Sequence, residues 1–203
     1  MDEPATDQVV VLATRNQGKI KELARILGSV TLAGLDEFPG APEVAETGAT
    51  FEENALLKAR AIAAFTGLPS VADDSGLCVD ALNGMPGIFS ARWSGAHGDD
   101  KANLDLVLAQ LNDVPDERRG ANFTCAAALA RPDGTSDVVL GEITGHLIRV
   151  PRGSGGFGYD PIFVPDGYDV TTAEMTADEK DSISHRGKAF RALAPFITGS
   201  VKP

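Results

Sequence analysis

The chain reads as an α/β protein, a mixed β-sheet with helices packed on it. Three observations predict this. Short β-rich apolar runs alternate with segments of helical periodicity through the first half of the sequence, the βα order that lays helices on a sheet. Two longer β-type runs, Ala121 to Ala130 and Val138 to Val150, flank Pro132-Asp133-Gly134, a hairpin signal that adds antiparallel pairing. A final helical segment, Ser184 to Phe196, closes the chain and is expected to break at Pro195.

Each element has its own justification. Gln8 to Ala13 is short and apolar enough for a buried strand. A helix follows, with Ile20, Leu23, Ala24 and Leu27 on one face and Gly28 as the residue that ends it. Val30 to Leu35 predicts a second strand, and the acidic, Pro/Gly-rich stretch from Glu37 to Gly48 a loop. Thr50 and Glu53 have capping-box spacing, so a helix should run from there to about Phe65 and stop at Gly67-Leu68-Pro69. Ser70 to Ala72 is a short strand, Asp73-Asp74-Ser75-Gly76 a turn, and Leu77 to Val79 another apolar run. Gly84 to Asp99 is a structured loop, after which Asp99 caps a helix carrying Leu104, Val107, Leu108 and Leu111. No linker separates independent domains, so the 203 residues are expected to form one domain.

Charge narrows the partners. There are 29 acidic and 18 basic residues, a formal charge of −11. A general grip on nucleic acid or on anionic membrane needs the opposite balance. Cys78 and Cys125 cannot build a disulfide scaffold and read as buried thiols. The acidic start, Met1-Asp2-Glu3-Pro4, lacks the basic-then-apolar layout of a signal peptide, and no apolar run is long enough for a membrane span. A cytoplasmic protein is the expectation.

Four segments could carry chemistry. Thr14-Arg15-Asn16-Gln17-Gly18-Lys19 joins a strand to a helix, and a helix start with a nearby Lys suits an anion. The plain alternative is an Asn-capped turn. Asp73 and Asp74 are adjacent carboxylates in an apolar setting, suited to Mg²⁺ or to general-base work, or else to a solvated turn. Glu43, Glu46, Glu52 and Glu53 could add a carboxylate. Gly153-Ser154-Gly155-Gly156-Phe157-Gly158 matches a dinucleotide fingerprint in letters only. Tyr159-Asp160-Pro161-Ile162-Phe163 follows it as β-type sequence where that fingerprint needs a helix. Phe157 and Tyr159 beside Asp160 suit a flat ring, or a structural turn with core aromatics. Lys180 to Lys188, with His185 and Arg186, gathers donors at a helix start. His97 and His146 lack metal-ligand spacing. Phosphate, metal and base features together point to a nucleoside triphosphate.

These segments resemble the ITPase-like family of non-canonical purine nucleoside triphosphate pyrophosphatases. Phe51 to Ala59, Ala72 to Leu77 and Pro86 to Arg92 carry the resemblance too, which extends from Val9 to Ile197. It implies an elongated, twisted mixed sheet flanked by helices, with two lobes and a central nucleotide-binding cleft, usually in a homodimer. It also implies Mg²⁺-dependent hydrolysis of ITP, dITP, XTP or dXTP between the α and β phosphates. On this resemblance Thr14 to Lys19 and Lys58 would hold phosphates. Asp74, with Ser75 beside it, would be general base and metal ligand, and Glu46 a second metal-side carboxylate, with Glu43 the alternative. Phe157, Gly158, Tyr159, Asp160, Lys180, His185 and Arg186 would surround the base.

Overall fold

The computed structural model describes residues 9–27 and 30–199. Met1 to Asp7 and the helix terminator expected at Gly28 lie outside the described residues. Among the described residues seven strands form one mixed sheet, ordered β2-β1-β3-β5-β6-β7 with β4 paired to β3. They are β1 (Val10–Leu12), β2 (Leu32–Ala33), β3 (Ser70–Val79), β4 (Met85–Pro86), β5 (Gly120–Ala130), β6 (Ser136–Leu147) and β7 (Phe163–Pro165). Pairing of β1 with β2 and β3 is parallel, and that of β3 with β4 and β6 with β7 is antiparallel. Helices α1 (Gln17–Ile26), α2 (Phe51–Thr66), α3 (Asp100–Gln110), α4 (Ala177–Ile183) and α5 (His185–Ile197) flank it. None of the described helices is long and apolar enough to cross a membrane.

Two compact units divide these elements. Of the described residues, the first comprises 9–27, 30–74, 126–140 and 189–199. Within it β1 is buried throughout, because Val10, Val11 and Leu12 sit between β2 and β3, and Leu23, Ile62 and Val71 are buried core residues of the same unit. Helix α2 starts where the Thr50 hydroxyl accepts the Glu53 N–H at 3.2 Å and ends at Gly67, whose φ of 70° suits glycine. The Glu53 side chain accepts the Ala49 N–H at 2.7 Å, which ties the preceding loop to the helix start. A tight turn, closed by Arg131 N–H to Thr135 O at 2.9 Å, makes the expected hairpin between β5 and β6.

The second unit comprises residues 75–125 and 141–188. Leu77, Val79, Leu104, Val107, Leu111, Phe123, Ile143, Leu147 and Phe163 form its core. Each fully buried large side chain contributes on the order of 1.5–3 kcal/mol. Arg119 is only 1% exposed, and its guanidinium donates to the carbonyls of Leu111, Leu147 and Ile148. A buried cation thus ties the end of α3 to the end of β6.

Several sequence expectations need correction. Asp73 to Gly76 is not a turn but the middle of β3, which runs unbroken from Ser70 to Val79. Only Leu32–Ala33 of the expected second strand pairs, and a 3-10 turn takes Leu35–Glu37. Asp160–Ile162 is likewise a 3-10 turn, so the strand begins only at Phe163. Pro195 lies inside α5, which continues to Ile197. Cys125 is buried, but Cys78 is only half-buried.

Candidate active site

In the first unit the site begins with the β1–α1 connection. Asn16 caps α1, because its Oδ1 accepts the Lys19 N–H at 3.2 Å. Thr14 Oγ1 in turn accepts the Asn16 N–H at 3.2 Å. Gln17 and Gly18 form the first backbone turn. Arg15 points elsewhere and donates to Ala41 O at 3.1 Å. Lys19 reaches β3, with its Nζ 2.9 Å from Asp73 Oδ2. The expected cap and the expected cation are therefore both present, and the cation is aimed at the first of the paired aspartates.

Asp74 is 6% exposed, and both of its oxygens face α2. Asn54 Nδ2 donates to Oδ2 at 3.0 Å, and Lys58 Nζ lies 3.5 Å from Oδ1. Asn54 and Lys58 are four residues apart, so one helix face presents both groups. Lys58 also donates to Glu46 Oε1 at 2.8 Å. Between the acidic-loop candidates, Glu46 is thus gathered with Asp74, while Glu43 is exposed. Glu53 is occupied in holding Ala49, and Glu52 lies in the first turn of α2.

Electrostatics follow from this clustering. Burial pushes the Asp74 carboxyl above its ordinary range and Glu46 adds to the rise, against the pull of Lys58, Lys19 and the Asn54 hydrogen bond. Burial opposes the Lys58 ammonium, but the combined field of Asp74, Asp73 and Glu46 prevails and raises its pKa. The donor set consists of hard carboxylate oxygens, two of which address one ammonium. That chemistry fits Mg²⁺, which takes one or two protein carboxylates and completes its shell with water and phosphate. Among the described residues no cluster of three or more His, Cys, Asp or Glu is arranged for a metal.

The second unit holds the other candidates. Asp160 is the anchor of the glycine-rich loop. Its Oδ2 accepts the Phe157 N–H at 2.8 Å and the Lys180 ammonium at 2.7 Å, and its Oδ1 accepts the Thr172 hydroxyl at 2.8 Å. Gly156 has φ of 70°, and a Cβ there would overlap the Asp160 carboxylate. Gly158 donates its N–H to Asp100 Oδ2 at 2.9 Å. The Phe157 ring has Lys180 Nζ 5.1 Å and the Arg186 guanidinium 5.6 Å from its centre. Arg186 donates to Ser75 Oγ at 2.8 Å, and the His185 ring stacks on Phe123 with centroids 4.9 Å apart.

Placement separates these residues by role. Lys180 and Arg186 converge on the Phe157 ring. Tyr159 does not join them: it is 4% exposed in the core, and its hydroxyl donates to Ser90 O at 2.8 Å. Asp160 has protein donors on both oxygens and fixes the loop. The helix that carries Lys180 had a readable signal, since Thr176 and Glu179 form a complete capping box at the start of α4. Lys180 therefore sits inside α4, while His185 and Arg186 open α5. Asn54 was not singled out in the sequence, although its i, i+4 relation to Lys58 was an available clue.

Comparison with known proteins places the whole chain in one family. The Ham1 family pattern matches residues 10–196. Over 192 residues the chain is 64% identical to a dITP/XTP pyrophosphatase of Streptomyces coelicolor, covering 93% of this chain and 96% of that one. A crystal structure of a nucleoside-triphosphatase / dITP/XTP pyrophosphatase from Mycobacterium abscessus superposes with a TM-score of 0.77 at 58% identity, over 93% of this chain and 100% of the other. The Ham1 protein of Staphylococcus aureus gives a TM-score of 0.85 at 40% identity, over 96% of this chain and 100% of that chain.

Proposed function

Because this chain belongs to the Ham1 family, we propose that it carries the activity for which its relatives are named, hydrolysis of non-canonical purine nucleoside triphosphates such as dITP and XTP. Cleavage between the α and β phosphates gives a nucleoside monophosphate and pyrophosphate. The observation that carries the reading is the Glu46–Lys58–Asp74 group, in which one ammonium lies 2.8 Å from Glu46 and 3.5 Å from Asp74.

In this reading Asp74 is the general base and takes the proton of the attacking water. Its burial supports the role, since a carboxylate kept from water holds a proton more tightly. Lys19, Lys58 and the N–H groups that open α1 meet the phosphate oxygens. Glu46 and Asp74 would hold Mg²⁺, which when bound supplies positive charge to phosphate oxygens. Phe157 offers a face to the base, and Lys180, His185 and Arg186 offer donors. Inosine and xanthine present an acceptor at C6 where adenine presents a donor, so donors here favour the former and would be left unpaired by the latter. Asp160 serves by holding the Phe157 loop and Lys180.

The same reading makes the enzyme a cytoplasmic homodimer with neither nucleic acid nor membrane as a partner, which the charge of −11 supports. The test is pyrophosphate release from dITP with Mg²⁺, compared between the wild type, the wild type with chelator, and Asp74→Asn. Chelation and substitution should each lower turnover by roughly a thousandfold or more while the fold persists. A variant that still turns over would remove Asp74 from the base role.

A further inference from the structure

Asn54 is fully buried, yet it is a polar residue on a helix whose other buried positions are apolar or small. A buried amide is costly unless its donors and its acceptor are used. Here both ends are. Oδ1 accepts the Gly48 N–H at 2.8 Å, and Nδ2 donates to Asp74 Oδ2 at 3.0 Å. The Gly48 N–H can only donate, so it fixes which way the amide is turned. The donor end must then face the carboxylate.

Gly48 makes the contact possible. A Cβ at that position would lie 2.6 Å from Glu53 Cβ and 2.8 Å from Asn54 Oδ1, so any larger residue would push the loop away. Gly48 is two residues from Glu46. One amide therefore ties the loop that carries Glu46 to the carboxylate of Asp74. Lys58, one helical turn on, addresses the other Asp74 oxygen. With each oxygen met by a different group of α2, the plane of the carboxylate is set.

We propose that Asn54 is a positioning residue that orients the Asp74 carboxylate and holds the Glu46 loop in register with it. This rests on the assignment of Asp74 as base and metal ligand. A purely structural Asn would be needed for the fold and for nothing else. A positioning Asn is needed for kcat and for the affinity of the Glu46–Asp74 pair for a divalent ion, because groups that orient metal-binding carboxylates are typically worth 10–100-fold.

The experiment uses the full chain as Asn54→Leu, Asp74→Asn and the double variant. Three quantities are read: circular dichroism for fold, kcat and KM for dITP, and Mn²⁺ binding to the nucleotide-free enzyme by electron paramagnetic resonance. Asn54→Leu should keep the fold, lower kcat by about 10–100-fold with KM changed less than about threefold, and weaken Mn²⁺ binding by about 10–100-fold. In the Asp74→Asn background its further effect on Mn²⁺ binding should be smaller than in the wild type, because only the hold on the Glu46 loop remains to be lost. If Asn54→Leu does not fold, Asn54→Ser, too short to span both partners, is read by the same criteria. Wild-type kcat and Mn²⁺ affinity in the Asn54 variant, beside an inert Asp74→Asn, overturn the role of Asn54 alone. A loss of thermal stability with Mn²⁺ affinity unchanged also overturns it. An active Asp74→Asn overturns the assignment of Asp74, and this inference with it.

Discussion

Removing the Asp160 carboxylate should loosen the glycine-rich loop more than any other single truncation in the second unit. Asp160 is 3% exposed and accepts hydrogen bonds from the Phe157 N–H, the Lys180 ammonium and the Thr172 hydroxyl at 2.7–2.8 Å. Hydrogen bonds involving a charged group contribute about 1.5–3 kcal/mol each, and breaking a buried ion pair from one side costs about 3–5 kcal/mol. These overlap rather than add, so Asp160→Ala should lose about 4 kcal/mol, against a total of about 5–15 kcal/mol for an ordinary domain. Asp160→Asn keeps the shape and an acceptor, and should lose about half as much. Urea unfolding at 25 °C measures both, and the KM for dITP should rise in each as Phe157 and Lys180 lose their anchor. A loss under 1 kcal/mol in Asp160→Ala, or equal losses in the two variants, would refute the anchoring role.

Two further predictions concern stability. Arg119→Met removes the donors to Leu111, Leu147 and Ile148 and should cost about 3 kcal/mol in urea unfolding, because two buried carbonyls and one half-buried carbonyl lose a charged partner. Tyr159 is held protonated by burial, with its pKa raised well above the ordinary value. An unfolded tyrosine ionises near pH 10, so the folded state binds the extra proton above that pH and stability falls as pH rises. Between pH 9 and 11 the wild type should lose about 1.4 kcal/mol more than Tyr159→Phe; parallel curves would contradict this.

What the sequence disclosed was mostly local. The caps of α2 and α3 and the hairpin turn rest on neighbours within four residues, and all were legible. The paired aspartates were not read as strand residues. Asp-Asp-Ser-Gly has turn chemistry, and the partners that allow two carboxylates to be buried in β3 lie far along the chain: Lys19 for Asp73, and Asn54 and Lys58 for Asp74. Glu46 and Glu43 were indistinguishable until the loop register was set by Gly48 on Asn54. Asp160 looked available to a ligand because Thr172 and Lys180, which occupy it, are 12 and 20 residues away. Local propensity finds elements; which polar group is spent on the fold and which is left for a substrate is decided by tertiary contacts.

Selective hydrolysis of non-canonical purine triphosphates is tested most directly by a substrate panel. Pyrophosphate and nucleoside monophosphate are measured from dITP, XTP, dATP and dGTP with Mg²⁺. Equimolar pyrophosphate and monophosphate are expected from dITP and XTP, with turnover of dATP lower by roughly a hundredfold or more because adenine leaves the donors at C6 unpaired. Equal turnover of all four, or release of orthophosphate alone, would contradict it.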